Sequence, residues 1–328
     1  MSIEAAKWCW ALGALGHRVL TVAGAGRADR LLPGLAWGAA EPPSLPEVVD
    51  VLAAADLVVV DNLCSLPLNP GATEQVARAL RGRPAVLRHH DLPWQRPGGS
   101  DRPPPTDRRW RHVTVNELSR RQLAARGIAA TTVYNAFDPC PPPGDRAGVR
   151  SALGVAPGGR LVLQPTRAIP RKAIPVALAL AEALGAHYWL LGDAEEGYGP
   201  ELGRLIEGCR VPVHRGLADL QVADAYAACD VVALPSTWEG FGNPAIESAL
   251  HRRPLAIGPY PVATELAALG FGWFSARDAG AVAGWLDRPA RGLLDRNRAL
   301  AVRHFSLADL PAKVAQVLEG CRGVGPRE

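Results

Sequence analysis

Val231-Val-Ala-Leu-Pro-Ser-Thr-Trp-Glu239-Gly-Phe-Gly-Asn-Pro-Ala-Ile-Glu247 reads as one structural unit of a parallel α/β protein. Its first four residues are apolar without alternation, as in a strand covered on both faces. Pro235 stops that strand, and Gly240 and Gly242 give a loop. Asn243 is the expected N-cap and Pro244 the first helical residue. A strand, glycine loop and helix start in this order aim backbone N–H groups and a positive helix end at whatever lies above the strand, which suits an anionic group such as a diphosphate. Glu239 falls in the loop and Glu247 eight residues on, in the second turn of the helix. A carboxylate before a helix can bind sugar hydroxyls, and one along its face can hold a ribose. The same two residues read equally well as solvated charges.

Working outward, the alternation of apolar runs and amphipathic helices continues through most of the chain, the pattern of a parallel sheet with crossover helices. The first half reads as helix 3–15, strand 18–23, strand 57–60, helix 73–80, strand 85–88, strand 113–115, helix 117–126 and strand 131–134. Asp138-Pro-Cys-Pro-Pro-Pro-Gly-Asp145 suits neither helix nor sheet and reads as a stiff linker. After it come strand 161–164, helix 173–184, strands 187–191 and 211–214, helix 218–228, strand 231–234, a helix from Pro244, strands 255–257 and 272–274, and further helices. The expected organisation is therefore an N-terminal Rossmann-like domain over 1–143, a C-terminal Rossmann-like domain over 144–305, and a C-terminal helix over 306–328 placed to pack back on the first domain. Two such domains face a cleft between the carboxyl edges of two sheets, where ligands bind. Arg96-Pro-Gly-Gly-Ser-Asp-Arg-Pro-Pro-Pro105 is longer than ordinary βα loops and reads as either mobile or functional.

Composition narrows the class. The chain has 328 residues, 48% hydrophobic and 21% charged, which fits a soluble globular protein of two domains. A net charge of +4 is too small for a nucleic-acid polyelectrolyte. No run approaches the roughly 18 apolar residues of a membrane span. Glu4 and Lys7 interrupt the apolar start, against a signal peptide. The six cysteines are scattered without a Cys-x-x-Cys pair, which argues against a zinc or disulfide framework and fits a reducing cytoplasm. Only three lysines stand against 33 arginines. Over residues 70–126, 12 arginines face five acidic residues. That surplus reads equally as solvated helix faces or as a patch for an anionic acceptor or the inner face of an anionic membrane.

A second segment bears on the first. The strand over 161–164 ends in Pro165-Thr-Arg167-Ala-Ile-Pro-Arg-Lys172, and Arg167 and Lys172 just beyond a strand suit a phosphate pair. Arg171 between them reads as surface charge. Arg167-x4-Lys172 followed by Glu239-Gly-Phe-Gly and Glu247 resembles the retaining family 4 glycosyltransferases of the glycosyltransferase-B fold. Cys229-Asp-Val-Val-Ala-Leu-Pro-Ser and Arg253-Pro-Leu-Ala-Ile-Gly-Pro-Tyr-Pro-Val-Ala-Thr-Glu265 extend the resemblance, with weaker matches at Arg88-His-His-Asp91, Val115-Asn-Glu117 and Tyr134-Asn-Ala-Phe-Asp138. The resemblance implies a cytoplasmic hexosyltransferase acting on a nucleotide sugar, with no cofactor and no metal. Arg167 and Lys172 would take the donor diphosphate, with the amides of Gly240, Phe241 and Gly242 nearby. Glu239 would contact the transferred sugar and Glu247 the nucleotide ribose. His90 would lie by the donor sugar, with His89 as the alternative register. No protein nucleophile is implied.

The chain departs from the family at three points. Ala173 stands where the family usually has glycine. Ser2-Ile3-Glu4 matches the end of a glycine-rich turn whose preceding strand is missing. The proline-rich stretch ending at Pro105 replaces a plainer connection and reads as an acceptor loop. The missing strand keeps a second reading open, a non-catalytic nucleotide-sugar-binding or partner subunit. A nucleotide-sugar epimerase shares the same diphosphate site. Gly24-Ala-Gly26-Arg-Ala-Asp29 lacks the third glycine of a dinucleotide fingerprint, and the chain has no Asp-x-Asp for metal-dependent sugar transfer.

Overall fold

A computed structural model describes residues 2–66, 68–95, 99–217 and 220–322. The chain divides into two compact α/β units, one of Met1–Ala136 with Leu307–Glu328 and one of Phe137–Ser306. The first unit begins with α1 (Ile3–Ala14), capped by the Ser2 hydroxyl accepting from the Ala5 amide at 3.1 Å. It continues with β1 (Val22–Ala23), β2 (Arg30–Leu31), α2 (Leu45–Leu52), β3 (Val58–Asp61), α3 (Pro70–Leu80), β4 (Ala85–His89), β5 (Trp110–Thr114), α4 (Glu117–Ala124) and β6 (Ala130–Thr132). Strands β3 to β6 form a four-stranded sheet in sequence order, every pair parallel, while β1 and β2 form a separate parallel pair.

The second unit holds α5 (Arg146–Ala152), β7 (Leu161–Gln164), α6 (Ile174–Ala183), β8 (His187–Leu190), α7 (Gly199–Glu207), β9 (Val213–Arg215), α8 (Val222–Ala228), β10 (Val231–Leu234), α9 (Asn243–Leu250), β11 (Leu255–Ile257), α10 (Pro261–Ala267), β12 (Phe274–Ser275), α11 (Ala279–Asp287) and α12 (Arg291–Phe305). Its six strands make one parallel sheet in the order β12-β11-β10-β7-β8-β9. The order reverses between β7 and β10, so the carboxyl ends of those two strands flank the crevice that such sheets offer to ligands. Strands β7 and β10 are buried at every residue, as their apolar runs require, and the one polar residue among them, Gln164, has hydrogen-bond partners for its side chain. The last helix, α13 (Leu310–Arg322), returns to the first unit.

In the first unit alternate residues of β4 serve opposite faces. Val86 packs with Trp8 and Leu12 of α1 and with Val314 and Leu318 of α13. Ala85 and Leu87 pack with Val48 of α2 and Val76 and Leu80 of α3. Burial of such side chains is worth about 25 cal/mol per Å² of apolar surface and is the main force holding these layers together.

Three expectations are corrected. Residues 18–23 form a strand only at Val22–Ala23, because β1 is paired to β2 alone and nothing on its other side extends it. The proline-rich stretch after Asp138, expected as a stiff linker between the domains, belongs to the second unit and is bonded into it. Arg298 donates to the Pro139 carbonyl at 3.1 Å, the Asp145 amide donates to Asp224 at 2.8 Å, and Gly144 lies so close to α8 that a Cβ would meet the Ala223 carbonyl oxygen at 2.2 Å. Helix α8 starts at Val222; residues 218 and 219 of the expected helix lie outside the described residues, as do 96–98 of the long loop.

Buried histidines set a pH limit on the first unit. His89 accepts or donates to Ser65 Oγ at 2.7 Å through Nδ1 and meets His112 Nδ1 at 2.9 Å through Nε2. Burial, with the neighbouring His112 and His90, holds His89 well below its ordinary value, and burial lowers His112 from 6.5 to about 4. Between those values the unfolded chain binds a proton that the folded chain refuses, so stability falls as pH drops from about 6.5 toward 4. Each such histidine is expected to remove about 1.4 kcal/mol per pH unit in that window. Urea midpoints at pH 7.5 and pH 5 check this, with His112→Gln flattening the slope; equal midpoints for the parent chain at both pH values would refute it.

Candidate functional site

The loop after β7 and the loop after β10 are tied together by the residues singled out from the sequence. The Thr237 amide donates to the Arg171 carbonyl at 2.9 Å, and the Gln164 side chain donates to the Lys172 carbonyl at 2.9 Å while accepting from Tyr188 at 2.6 Å. Over this backbone frame Lys172 Nζ lies 2.5 Å from Glu239 Oε1 and Arg171 Nη1 lies 3.1 Å from Glu239 Oε2. Arg171 also donates to the Trp238 carbonyl at 2.9 Å. Lys172 and Glu239 are both buried. Burial lowers the Lys172 ammonium below its ordinary value, with Glu239 opposing that shift and Arg171 adding to it.

Two cations therefore share one carboxylate, and the cluster keeps an excess positive charge at the start of α9. Arg171 is thus no idle surface charge. No local pattern signals this beyond its place beside Lys172, because the contact depends on how the two loops fold back. Arg167 goes elsewhere, to Glu195 in the loop after β8 at 2.5 Å, with both side chains close to half exposed. Such a pair contributes little to stability and leaves the guanidinium reachable by a ligand.

The helix start differs from expectation in one respect. Gly242, not Asn243, is the N-cap of α9, with φ +90°. A Cβ there would lie 2.3 Å from the Tyr260 hydroxyl oxygen, so both conformation and space demand glycine. Gly258 is likewise fixed: a Cβ would meet the Ser236 carbonyl oxygen at 2.5 Å, which lets the loop after β11 lie against the loop after β10. Phe241 is buried, its ring 6.1 Å from Phe137 and edge-on to Phe305 at 5.6 Å, which anchors the glycine loop. Glu247, on α9, accepts from the buried Tyr226 hydroxyl at 2.7 Å, and Tyr226 stacks on His251. Burial raises the Tyr226 phenol far above its ordinary value, and Glu247 adds to that. Tyr226 therefore stays a neutral donor, holding Glu247 in one orientation.

Tyr260 Oη and Ser236 Oγ are buried without a hydrogen-bond partner among the described residues. Neither was singled out from the sequence, because their burial follows from loop packing and not from periodicity. Ala173 has φ +49°, a left-handed conformation that favours glycine, at the residue where the family resemblance expects glycine. That backbone turn is kept despite the side chain.

His90 lies in the first unit. Its Nε2 is 2.8 Å from Asp61 Oδ1, the same oxygen that accepts from Arg88 at 3.0 Å. Its side chain is 23% exposed, whereas His89 is enclosed in the Ser65–His112 network. A ligand can reach His90 and not His89. Burial pushes the Asp61 carboxyl up, but His90 and Arg88 outweigh it and hold Asp61 below its ordinary value. The arginine surplus of 70–126 is largely spent on the fold. Arg81, Arg83, Arg109 and Arg111 donate to backbone carbonyls, Arg88 is buried, Arg120 pairs with Glu117 and Arg126 lies over the Trp94 ring.

The two parallel-sheet α/β units define the glycosyltransferase-B fold, and solved structures agree. A glycosyltransferase from Rickettsia africae superposes with a TM-score of 0.73 at 16% identity, over 98% of this chain and 94% of that one. HepE from Anabaena in complex with UDP-glucose superposes with a TM-score of 0.68 at 22% identity, over 85% and 82%. The more particular assignment comes from sequence. Residues 168–283, which hold Arg171, Lys172, Glu239 and Glu247, match the family described as Glycosyl transferases group 1. The mannosylglucosylglycerate synthase of Thermotoga maritima is 26% identical over 65% of this chain and 59% of its own length. The D-inositol 3-phosphate glycosyltransferase of Mycolicibacterium gilvum is 34% identical over 37% and 30%. The chain spans about three fifths of the length of the first two curated relatives it matches.

The Gly242–Tyr260 contact gives a test of this geometry. Gly242→Ala is expected to cost about 2–4 kcal/mol, from the positive φ and the clash. Tyr260→Phe removes a buried, unpartnered hydroxyl and is expected to be neutral or stabilising. The double variant should recover about 1–2 kcal/mol of the Gly242→Ala loss, the coupling expected of groups in contact. Strictly additive effects in urea unfolding would show that the hydroxyl does not press on Gly242.

Proposed function

We propose that the protein is a retaining, metal-independent glycosyltransferase that moves a hexose from a nucleotide sugar to an acceptor. One observation carries the reading: Lys172 and Arg171 converge on Glu239 at the amino end of α9, inside the group 1 domain. The named activities of the relatives and the UDP-glucose bound by HepE support a nucleotide-sugar donor.

In this reading Lys172 and Arg171, with Arg167, face the diphosphate and offset the charge that grows on it as the sugar departs. Two or three fixed cations with the amides near Gly240, Phe241 and Gly242 take the part that a divalent metal has in other sugar transferases. Glu239 then exchanges its cation partners for the hydroxyls of the transferred sugar. Glu247, held by Tyr226, takes the ribose. His90, oriented by Asp61, serves the donor sugar. Acceptor and leaving group lie on one face of the sugar, so no protein nucleophile is needed. The chemistry is that of a cytoplasmic enzyme. Among the described residues no helix is long and apolar enough to cross a membrane.

A non-catalytic binding subunit is the second reading. It is favoured by the sheet of the first unit, which stops at β3 instead of continuing to β1.

Calorimetry with UDP and UDP-glucose, with and without chelator, tests the proposal together with donor hydrolysis. Lys172→Ala is expected to weaken UDP binding at least tenfold, the usual loss for one charge-assisted contact of about 1.5–3 kcal/mol. Glu239→Gln releases both cations, so bare UDP should bind as well as before or better, while turnover falls by about a hundredfold. Binding that disappears in chelator would refute metal independence. Turnover by Glu239→Gln at the parent rate would refute the role of that loop.

A further inference from the structure

Within the second unit a buried hydroxyl lies beside the glycine loop with nothing to bond to. Tyr260, the residue before α10, is fully buried, and its Oη has no hydrogen-bond partner among the described residues. Its side chain reaches from the loop after β11 to the loop after β10, so that a Cβ on Gly242 would lie 2.3 Å from Oη. Glu239 stands three residues before Gly242 in that same loop. Burial pushes the Tyr260 phenol well above its ordinary value, and the Glu239 charge adds to the shift. Tyr260 is therefore a neutral O–H donor near a buried carboxylate that is bonded to other groups.

An unpaired hydroxyl in a protein interior costs stability, and phenylalanine would fill the same space without that cost. Such a group has a physical account when a second state of the protein uses it. The site supplies that state. In the free protein Lys172 donates to Oε1 of Glu239 and Arg171 to Oε2. A diphosphate that draws both cations to itself leaves Glu239, only 6% exposed, charged and without either partner. A buried carboxylate with no donor is among the costliest groups in a protein interior, and its cost would be subtracted from the binding of the ligand.

We propose that Tyr260 is a positioning residue for the donor-bound state, its hydroxyl donating to the Glu239 carboxylate once the diphosphate has drawn Lys172 and Arg171 away. This exchange presupposes the diphosphate reading proposed above. The carboxylate then has one set of partners in the free protein and another in the loaded one. Only hydrogen bonds are exchanged; no covalent bond changes. Gly242 belongs to the same device, because any side chain there would displace the hydroxyl.

The test measures UDP affinity by calorimetry in the parent chain, Tyr260→Phe, Glu239→Gln and the double variant. Without ligand, Tyr260→Phe should unfold at the parent midpoint or slightly above it. It should nevertheless bind UDP about tenfold more weakly, the loss of one hydrogen bond to a charged group. In the Glu239→Gln background no charge is released, so the same substitution should change UDP affinity by no more than about twofold. A lowered ligand-free midpoint with unchanged UDP affinity would make the hydroxyl merely structural and overturn the proposal. Equal losses in both backgrounds would mean that the hydroxyl meets the ligand directly, which overturns the assignment to Glu239. Ser236 Oγ, in the loop after β10, is likewise buried without a partner among the described residues. A Glu239-dependent loss in Ser236→Ala, with none in Tyr260→Phe, would give the role to Ser236 and overturn it too. Failure of the parent chain to bind UDP would overturn the diphosphate reading itself, whereas UDP binding that Tyr260→Phe leaves unchanged would overturn this inference alone. If Tyr260→Phe does not fold, carbon-13 labelling at tyrosine Cζ gives a second measurement. Among the five tyrosine resonances, UDP should shift one in the parent chain that it leaves in place in Glu239→Gln, and the absence of such a difference would overturn the proposal.

Discussion

The Glu239 carboxylate, held between Lys172 and Arg171, is the contact around which the second unit's site is arranged. An ion pair removed from water gains stability only when the remaining hydrogen-bonding capacity is also met. Here two cations serve the two oxygens of one carboxylate, and the backbones of both loops are bonded to each other through Thr237 and Arg171. The arrangement is a net cation held in a partly desolvated place. Such a centre is poorly satisfied by its own carboxylate and gains from a ligand with two negative charges. The surrounding glycines make the closeness possible. Without Gly242 and Gly258, the loops after β10 and β11 could not approach as they do.

The first unit has a corresponding hub in Arg88, which is almost fully buried on β4. It reaches Asp61 at the end of β3, Asn135 beyond β6 and, at 3.6 Å, Glu4 on α1, with its guanidinium over the Trp8 ring. One guanidinium thus ties β3, the segment beyond β6 and α1 to β4 by charge, hydrogen bond and cation–π contact. Asp61 then has an oxygen to hold His90. The half-buried His90 is oriented through a carboxylate that is itself fixed from below, the usual way a ring is kept in one tautomer and one direction.

Much of this was legible in the sequence because the strongest local signals agree with the fold. The apolar runs at 161–163, 231–234 and 255–257 fall in strands, since parallel strands covered on both faces favour unbroken apolar stretches over polar alternation. Glu239, Lys172 and the glycines around Phe241 were found from their place just past strands. What was missed turns on tertiary contact. Helix α2 begins in a capping box formed by Ser44 and Glu47, a signal that proline at three nearby positions obscured. Helix α7 follows a loop whose turn residues hid its start. Arg171 looked idle because no local pattern shows that a neighbouring loop will bring it a carboxylate. Gly242 took the cap from Asn243 because only glycine tolerates φ +90° against the Tyr260 hydroxyl.

The two units differ in how complete they are. The second has a six-stranded sheet with helices on both faces and carries Lys172, Arg171, Glu239 and Glu247 within itself. The Lys172–Arg171–Glu239 cluster depends on β7, β10 and α9, which bury nearly all their apolar residues. The first unit is divided into a four-stranded sheet and an isolated pair. An isolated pair is marginal by itself, and here Asp29 reinforces it by accepting from the Thr21 hydroxyl at 2.6 Å and the Thr21 amide at 2.8 Å. Local opening concentrates where few buried contacts and unpaired strand edges coincide, which places it at β1 and β3 and at the Asp61–His90 pair beside them. Donor binding, as proposed, therefore rests on the more rigid unit. In the first unit the orientation of His90 is only as firm as the edge strand that carries Asp61.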